Sequence, residues 1–502
     1  MSVEILGGTL LGVEGVAVHV EVDVLSMLPS FQVVGLPLNS VREARERVRS
    51  AIASCGMTFP RRRITANLAP AGLPKSGTGL DLPLALGVVA SAKAVSPWSS
   101  PPLAVGELGL DGRVRPVRGV LPVVEAAAAL GCRRVIVARE NAAEAALVRG
   151  VTVLAVNDLL EAWDAAVGGQ AGLWTKGPHL EVRCTGPDLN EVRGMPAARR
   201  ALEIAAAGGH GLLLEGPPGA GKSMLAKRLA GILPDLPDDE ALEVTRVHSA
   251  AGLLEDGAGL VRRPPLRAPH HSASTAAVLG GGRPLSAGEV SLAHRGVLML
   301  DEAPEFNRST LEGLRQPLED GQVTIARSHR TARFPASFQL VATRNPCPCG
   351  MYGSKHACLC LLTERDRYLR RLSGPILDRI DITCWVEPVD GRELLTAGAS
   401  ESSDVVRARV VEARGPMGGE LNARASMKRG VSRMNASARR EVESSLRSLR
   451  GSTRSVQQFV RVAMTIADLE GSDGIERGHV QEALLLCATQ GPQAGVATRG
   501  LL

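Results

Sequence analysis

The stretch Gly216-Pro217-Pro218-Gly219-Ala220-Gly221-Lys222-Ser223 constrains the fold of this chain more than any other. It matches G-x-x-x-x-G-K-[ST], a loop that works only between a strand and a helix. Its backbone N–H groups close around phosphate oxygens, and the helix N-terminus adds partial positive charge. Both flanks are present. Leu212-Leu213-Leu214 reads as the strand, and Leu225, Leu229 and Ile232 recur at helical spacing until Pro234. In such a loop Lys222 reaches the β and γ phosphates and Ser223 holds Mg²⁺. The expectation is an α/β nucleotide-binding core with ATP and Mg²⁺ as ligands.

Val297-Leu298-Met299-Leu300 is an unbroken apolar run, as in a parallel strand buried on both faces, and it ends in Asp301-Glu302. Acids at that end stand beside the phosphates, with Asp301 supporting Mg²⁺ and Glu302 polarising the attacking water. The plain alternative is an acid pair capping the next helix. A second such strand, Phe338-Gln339-Leu340-Val341-Ala342, leads to Asn345. That amide either orients water near the γ-phosphate or simply forms a turn. Farther on, Arg379 stands in Gly374-Pro375-Ile376-Leu377-Asp378-Arg379-Ile380-Asp381. It either pairs locally with Asp378 or Asp381, or reaches a neighbouring subunit's site. There it would neutralise charge on the transferred phosphoryl group, worth about 10³ to 10⁵ in rate.

Loop, Asp-Glu strand, Asn strand and Asp-Arg-Ile-Asp follow in the order that resembles AAA+ ATPases. Several blocks are similar to the ComM/YifB group, often called magnesium-chelatase-like. They are Arg267-Ala268-Pro269-His270-His271-Ser272, Ser291-Leu292-Ala293-His294-Arg295-Gly296, Leu314-Arg315-Gln316-Pro317-Leu318-Glu319-Asp320-Gly321, Asn345-Pro346-Cys347-Pro348-Cys349-Gly350 and Thr465-Ile466-Ala467-Asp468-Leu469. The resemblance covers nearly the whole chain. It implies an AAA+ P-loop ATPase core with a helical lid, assembled as a homo-oligomeric ring, a hexamer, in which Arg379 serves the adjacent site. Arg454, in Gly451-Ser452-Thr453-Arg454, would be the lid's sensor arginine. Three positions depart from the group's pattern. Met464 replaces an Arg before Thr-Ile-Ala-Asp-Leu, Arg344 replaces a Met before Asn-Pro-Cys, and Leu38 replaces the Asp of Leu-Pro-Asp.

Between Asn345 and Arg379 lie Cys347-x-Cys349 and, eight residues on, Cys358-x-Cys360. Four thiolates at this spacing suit a closed structural Zn²⁺ site, against the alternative of reduced free thiols. His356 is a spare ligand candidate, better read as a solvated loop residue. Two segments are candidates for DNA contact. Residues 321–333 look like a hairpin carrying Arg327, Arg330 and Arg333 at its tip, and Gly280-Gly281-Gly282-Arg283 suits a second, mobile loop. In related ring motors such a hairpin lines the central pore; the bland alternative is an exposed basic turn.

Residues 70–140 resemble the Lon protease domain and the Lon-like domain of RadA, through Leu73-Pro74-Lys75-Ser76-Gly77, Gly106-Glu107-Leu108, Gly112-Arg113-Val114-Arg115-Pro116-Val117 and Gly119. The Ser and Lys positions of a Lon-type dyad fall on Gly79 and Leu121, so neither can do the chemistry. Lys75 and Ser76 lie nearby but off register. The expected organisation is a proteolytically inactive α+β Lon-like domain (ribosomal S5 domain 2-like) over 1–165 and a linker over 166–184. The AAA+ core with its cysteine loop follows over 185–390, and a helical lid over 391–502. Within the last, 397–430 reads as flexible from its Gly, Ser, Ala and Arg content.

Among 502 residues, 44% are hydrophobic, 22% charged, and the net charge is +6, which permits nucleic acid without demanding it. Aromatic residues are only 2%, so DNA contacts would rest on Arg and Lys meeting phosphates, with little sequence preference. Neither a signal peptide nor an apolar run of membrane-spanning length is seen, and nine cysteines without a secretory signal point to reduced thiols, so a cytoplasmic protein is expected. The resemblance implies an ATP-driven motor on single-stranded or branched DNA that promotes branch migration in recombination or transformation. A magnesium-chelatase-type ATPase subunit and a nucleotide-switched assembly scaffold are the alternatives.

Overall fold

The computed structural model describes residues 2–488 apart from 76, 94–97, 99, 171, 175–185, 283–284, 328–329, 373, 390–399, 416–419 and 450–452. Ser76, Arg283 and most of the expected linker therefore lie outside the described residues.

The N-terminal region is built on a seven-stranded mixed sheet. Its spatial order is Ser30–Val34, Arg63–Ala69, Glu14–Leu25, Val3–Leu11, Leu103–Val105, Arg134–Ala138 and Thr152–Val156. Alternation explains the long second strand: Val18, Val20 and Val22 are fully buried, while Glu21 between them is exposed. The helix Asp81–Ala92 packs behind this sheet, buried along almost its whole length.

The second sheet carries the P-loop. Its five parallel strands lie in the order Leu266–Arg267, Val297–Leu300, Gln339–Arg344, Leu212–Glu215 and Ile382–Trp385. Numbered along the chain, this order is 2-3-4-1-5. Val297–Leu300 and Gln339–Arg344 are strands with neighbours on each side; all four residues of the first and Leu340, Val341 and Ala342 of the second are buried, so these apolar runs reflect burial on both faces. Strands 1, 3 and 4 end together, and the ends of their carboxyl edges collect the loop, Asp301 and Asn345.

The core of this region continues into the C-terminal helices Ala436–Leu449, Thr453–Leu469 and Arg477–Ala488 through Phe459, Ala463, Met464 and Val480. Met464 is fully buried there. The described parts of 397–430, residues 400–415 and 420–430, hold more regular structure than their composition suggests. They include the helix Ser403–Arg414, whose Val406 and Val410 pack into the core. Arg407 of this helix donates to the carbonyl of Gly231 at the end of the P-loop helix. Two valines one turn apart are enough to bury one helical face, and composition averages over them.

The two regions meet on the helix Asp238–Ala251. Arg246 makes a bidentate pair with Glu125 at 2.7 and 2.8 Å, and Ser249 Oγ donates to the buried carboxylate of Glu144 at 2.6 Å. Val13, Val247, Ala250, Leu292, Ala332 and Phe334 form an apolar cluster across the same contact.

Candidate active site

The P-loop passes from a fully buried strand straight into the helix Lys222–Ile232. Gly221 caps that helix at φ 88°, a left-handed conformation that favours glycine, and a Cβ there would meet Met195 Cε at 3.0 Å. Lys222 is buried. Its Nζ donates to the carbonyls of Gly216 and Pro217 at 2.7 and 2.8 Å and to Asn345 Oδ1 at 3.1 Å. Burial lowers the pKa of this ammonium, while Asp301, Glu302 and Glu215 oppose the shift. Ser223 Oγ donates to Asp301 Oδ1 at 2.7 Å. The loop, the acid pair and the amide read separately from sequence therefore converge.

Thr343 escaped the sequence reading. Fully buried at the end of the fourth strand, its hydroxyl donates to Asp301 Oδ1 at 2.6 Å and accepts from the backbone N–H of Glu302 at 2.9 Å. That bond secures Glu302 at φ 52°, ψ 50°, a left-handed geometry rare for a residue with a side chain. The turn separates the two acids: Asp301 stays with Ser223, and Glu302 is re-aimed by the backbone. Arg344, the next residue on the strand, pairs with Glu215 at 2.9 Å, both almost fully buried. The buried cation is thus matched by an acid immediately before the P-loop. Only the pairing of strands 1 and 4 reveals it.

Arg379 does not join this cluster. It pairs with neither Asp378 nor Asp381; Nη2 lies 3.4 Å from Glu319 Oε1, and its buried Nε finds no hydrogen-bond partner among the described residues. Asp381 instead accepts from His210 at 2.9 Å. Arg379 lines a cavity of about 750 Å³ with Glu319, Arg333, Arg424 and Glu243, and none of the P-loop residues, Asp301, Glu302 or Asn345 contributes to its wall.

The strands Gln322–Arg327 and Arg330–Pro335 form the expected hairpin, with Arg327 and Arg330 opposite one another at the tip. The side chains of those two residues lie outside the described atoms. Arg333 sits farther down, opposite Thr324 and against the cavity, so it is not a tip residue. The short hairpin of Gly280–Gly281 and Ser286–Ala287 stands next to it, with Gly280 close to Ile325. Arg454 occupies the first turn of the helix Thr453–Leu469; its side chain also lies outside the described atoms.

Cys347, Cys349, Cys358 and Cys360 come together with all four sulfurs within 4.8 Å of one another. Three of the separations are 3.4, 3.6 and 3.6 Å, close to the roughly 3.8 Å that a tetrahedral zinc thiolate centre requires. The donor set fits Zn²⁺. The backbone N–H of Met351 holds the Cys349 thiol down at about 6. His356 is exposed and stands outside the cluster. The knot leans on the P-loop: a Cβ on Gly350 would lie 2.5 Å from Pro218 Cγ.

In the N-terminal region Lys75 is fully buried and donates from Nζ to the carbonyls of Gly35, Leu68 and Pro70, so it is committed to the backbone rather than to base chemistry. A Cβ on Gly79 would meet Val105 and Val117. Leu121 is fully buried beside Glu144, to which its N–H donates at 3.3 Å.

Comparison with known proteins agrees with this architecture. Residues 188–394 match the family described as magnesium chelatase, subunit ChlI; residues 20–141 match subunit ChlI of Mg-chelatase, and residues 400–486 its C-terminal part. The chain is 42% identical over 482 residues to the uncharacterized protein YifB of Escherichia coli K12, covering 94% of each chain. It belongs to the ComM/YifB family. The competence protein ComM of Haemophilus influenzae is 40% identical over 489 residues, 94% of this chain and 95% of its own. An uncharacterized protein of Mycobacterium tuberculosis is 44% identical over 93% of this chain and 95% of its own. Lon protease 2 of Bacillus subtilis is 29% identical over 122 residues, covering 24% of this chain and 21% of its own. The ComM/YifB chain is thus an AAA+ ATPase of the magnesium-chelatase-like type behind a Lon-like N-terminal region, and its family implies ATP and Mg²⁺ as ligands. Among the described residues, no helix is long and apolar enough to cross a membrane.

Proposed function

We propose that this protein is an ATP-driven ring motor on DNA, unwinding or migrating branched or single-stranded substrates in recombination or transformation. One observation carries the reading: Lys222, Ser223, Asp301 and Asn345 converge with Glu302 next in the chain, while Arg379 lines a separate cavity. A second copy in a homo-oligomeric ring, a hexamer, would complete the site with its Arg379. Glu302 would then act as the base that orients water, Asn345 would hold the γ-phosphate end, and Arg454 would report nucleotide to the lid. Mg²⁺ held by Ser223 and Asp301 would neutralise charge on the β and γ oxygens.

The DNA assignment is supported by the hairpin arginines Arg327 and Arg330, with Arg333 behind them, and by the relative's name, competence protein. Contact through phosphates makes binding sequence-nonspecific and steeply salt-dependent. We assign 1–165 to the inactive Lon-like platform, 166–184 to a linker, 185–390 to the motor core and 391–502 to the lid, in a cytoplasmic protein. Zn²⁺ on the four cysteines would close the loop between Asn345 and Arg379 as a structural centre. Metal analysis of protein purified without chelators should find one zinc per chain; well under one would remove this site.

The family descriptions favour a second reading, a magnesium-chelatase-type ATPase subunit. ATP hydrolysis with and without branched DNA separates the two, with Glu302→Gln as the blank. Strong stimulation that vanishes in the variant supports the DNA motor. Turnover indifferent to every DNA supports the chelatase-type reading, and absent turnover would leave only a nucleotide-switched scaffold.

A further inference from the structure

The loop that carries Arg379 is gripped by the lid helix of its own chain. Gln458, on the helix Thr453–Leu469, donates its side-chain amide to the carbonyls of Asp378 at 3.1 Å and Ile380 at 3.3 Å. These are the residues on either side of Arg379. Thr465 follows two turns later, on the same helical face. His210, fully buried, bridges Thr465 Oγ1 at 2.8 Å and Asp381 Oδ2 at 2.9 Å. Asn422 donates to Thr465 Oγ1 and to Asp468 Oδ2 at 3.2 and 2.6 Å, and Arg433 pairs with Asp468 at 2.7 Å. From the other side, the N–H groups of Asp381 and Ile382 donate to the carbonyl of Gly211, next to the P-loop strand. The segment 378–382 is therefore clamped between the lid helix and the strand that leads into the P-loop.

Among the described residues, Arg379 itself is held lightly, by one exposed contact at 3.4 Å to Glu319, and its Nε is buried without a partner. Where its guanidinium stands is consequently decided by its backbone, and Gln458 holds that backbone at both neighbouring carbonyls. Arg454 lies one turn before Gln458 in the same helix. The element read as sensing a protomer's own nucleotide thus also grips the arginine offered to the next protomer.

We propose that Gln458 is a positioning residue for hydrolysis at the adjacent subunit, and that the lid helix transmits the state of one nucleotide site to the next by moving the Arg379 loop. This rests on the reading of Arg379 as acting across the subunit boundary. His210 and Thr465 serve the same loop through Asp381, but they are buried in the core. Gln458 is only half-buried and is the side chain to alter.

The test uses full-length Gln458→Glu and Gln458→Met, which both lack the two N–H donors but differ in charge, beside Arg379→Ala. Melting temperatures near wild type establish folding. A misplacement of about 1 Å costs on the order of 100-fold in rate, so both Gln458 variants should lose about 10- to 100-fold in kcat. Binding of a fluorescent ATP analogue should stay within about twofold of wild type, because the P-loop is untouched. Each variant is then mixed with Lys222→Ala protein, inactive in its own loop but able to present Arg379 normally. Turnover well above the sum of the separate rates is expected from all three mixtures. Unchanged kcat in the Gln458 variants, analogue binding that weakens in step with kcat, or recovery with Arg379→Ala but not with Gln458→Glu would overturn the proposal. Failure of the Arg379→Ala mixture itself would remove the trans reading, a distinguishable result that takes the proposal with it.

Discussion

Arg344→Met should damage this protein rather than improve it. Glu215 and Arg344 are 5% and 6% exposed at their side chains and meet at 2.9 Å, so each charge depends on the other. At an effective dielectric of about 20, that separation corresponds to a gross attraction of about 6 kcal/mol. Desolvation of two ions, several kcal/mol each, consumes most of it, and Arg344 Nε adds a buried donor without a partner among the described residues. Arg344→Met leaves Glu215 buried and alone, which costs about 3–5 kcal/mol. The double variant Glu215→Leu/Arg344→Met removes both charges and should match or exceed wild-type stability by up to about 4 kcal/mol. Equilibrium urea unfolding of the four proteins measures this cycle. ATP-analogue binding should follow the same order, since an uncompensated Glu215 adds negative charge close to Lys222, one of whose charged neighbours it is. An Arg344→Met protein within about 0.5 kcal/mol of wild type would refute the reasoning, because that is the size of an ordinary surface substitution.

Thr343→Val keeps the shape of the side chain but orphans the N–H of Glu302 and takes one donor from Asp301. A loss of about 1–3 kcal/mol at the acid pair implies kcat lower by about 10- to 100-fold, read by steady-state ATP hydrolysis; unchanged turnover would exclude Thr343 from the site. His294 accepts from the N–H of Ser337 at 3.1 Å through Nδ1 and faces Glu243 and Arg295. Burial lowers its pKa, with Arg295 acting in the same sense and Glu243 opposing. The folded state then binds fewer protons than the unfolded one near pH 6.5, so the stability this residue contributes is present above that pH and is lost as pH falls. The stability difference between wild type and His294→Asn should shrink between about pH 7 and pH 5, and a difference independent of pH would contradict the assignment. Arg327→Ala/Arg330→Ala should lose DNA stimulation of ATPase while keeping basal turnover, and equal stimulation would remove the hairpin from the DNA path.

The P-loop, the apolar strand ending in Asp301-Glu302, the strand before Asn345 and the spacing of the four cysteines were legible in the sequence because each is a local pattern. The chemistry and the periodicity that announce it lie within a dozen or so neighbouring residues, and burial on both faces of a parallel strand leaves an unbroken apolar run. The length of the helix Ser403–Arg414 was obscured by composition, yet Val406 and Val410 were enough to bury it. Tertiary structure alone decided the partners. It set Glu319 rather than Asp378 or Asp381 beside Arg379, Thr343 between Asp301 and Glu302, Glu215 against Arg344, and His210 between Asp381 and Thr465. His210 and Thr465 are 255 residues apart in sequence and 2.8 Å apart in space. A buried polar group must find a partner wherever the fold brings one within reach, and no local periodicity records which distant residue that will be.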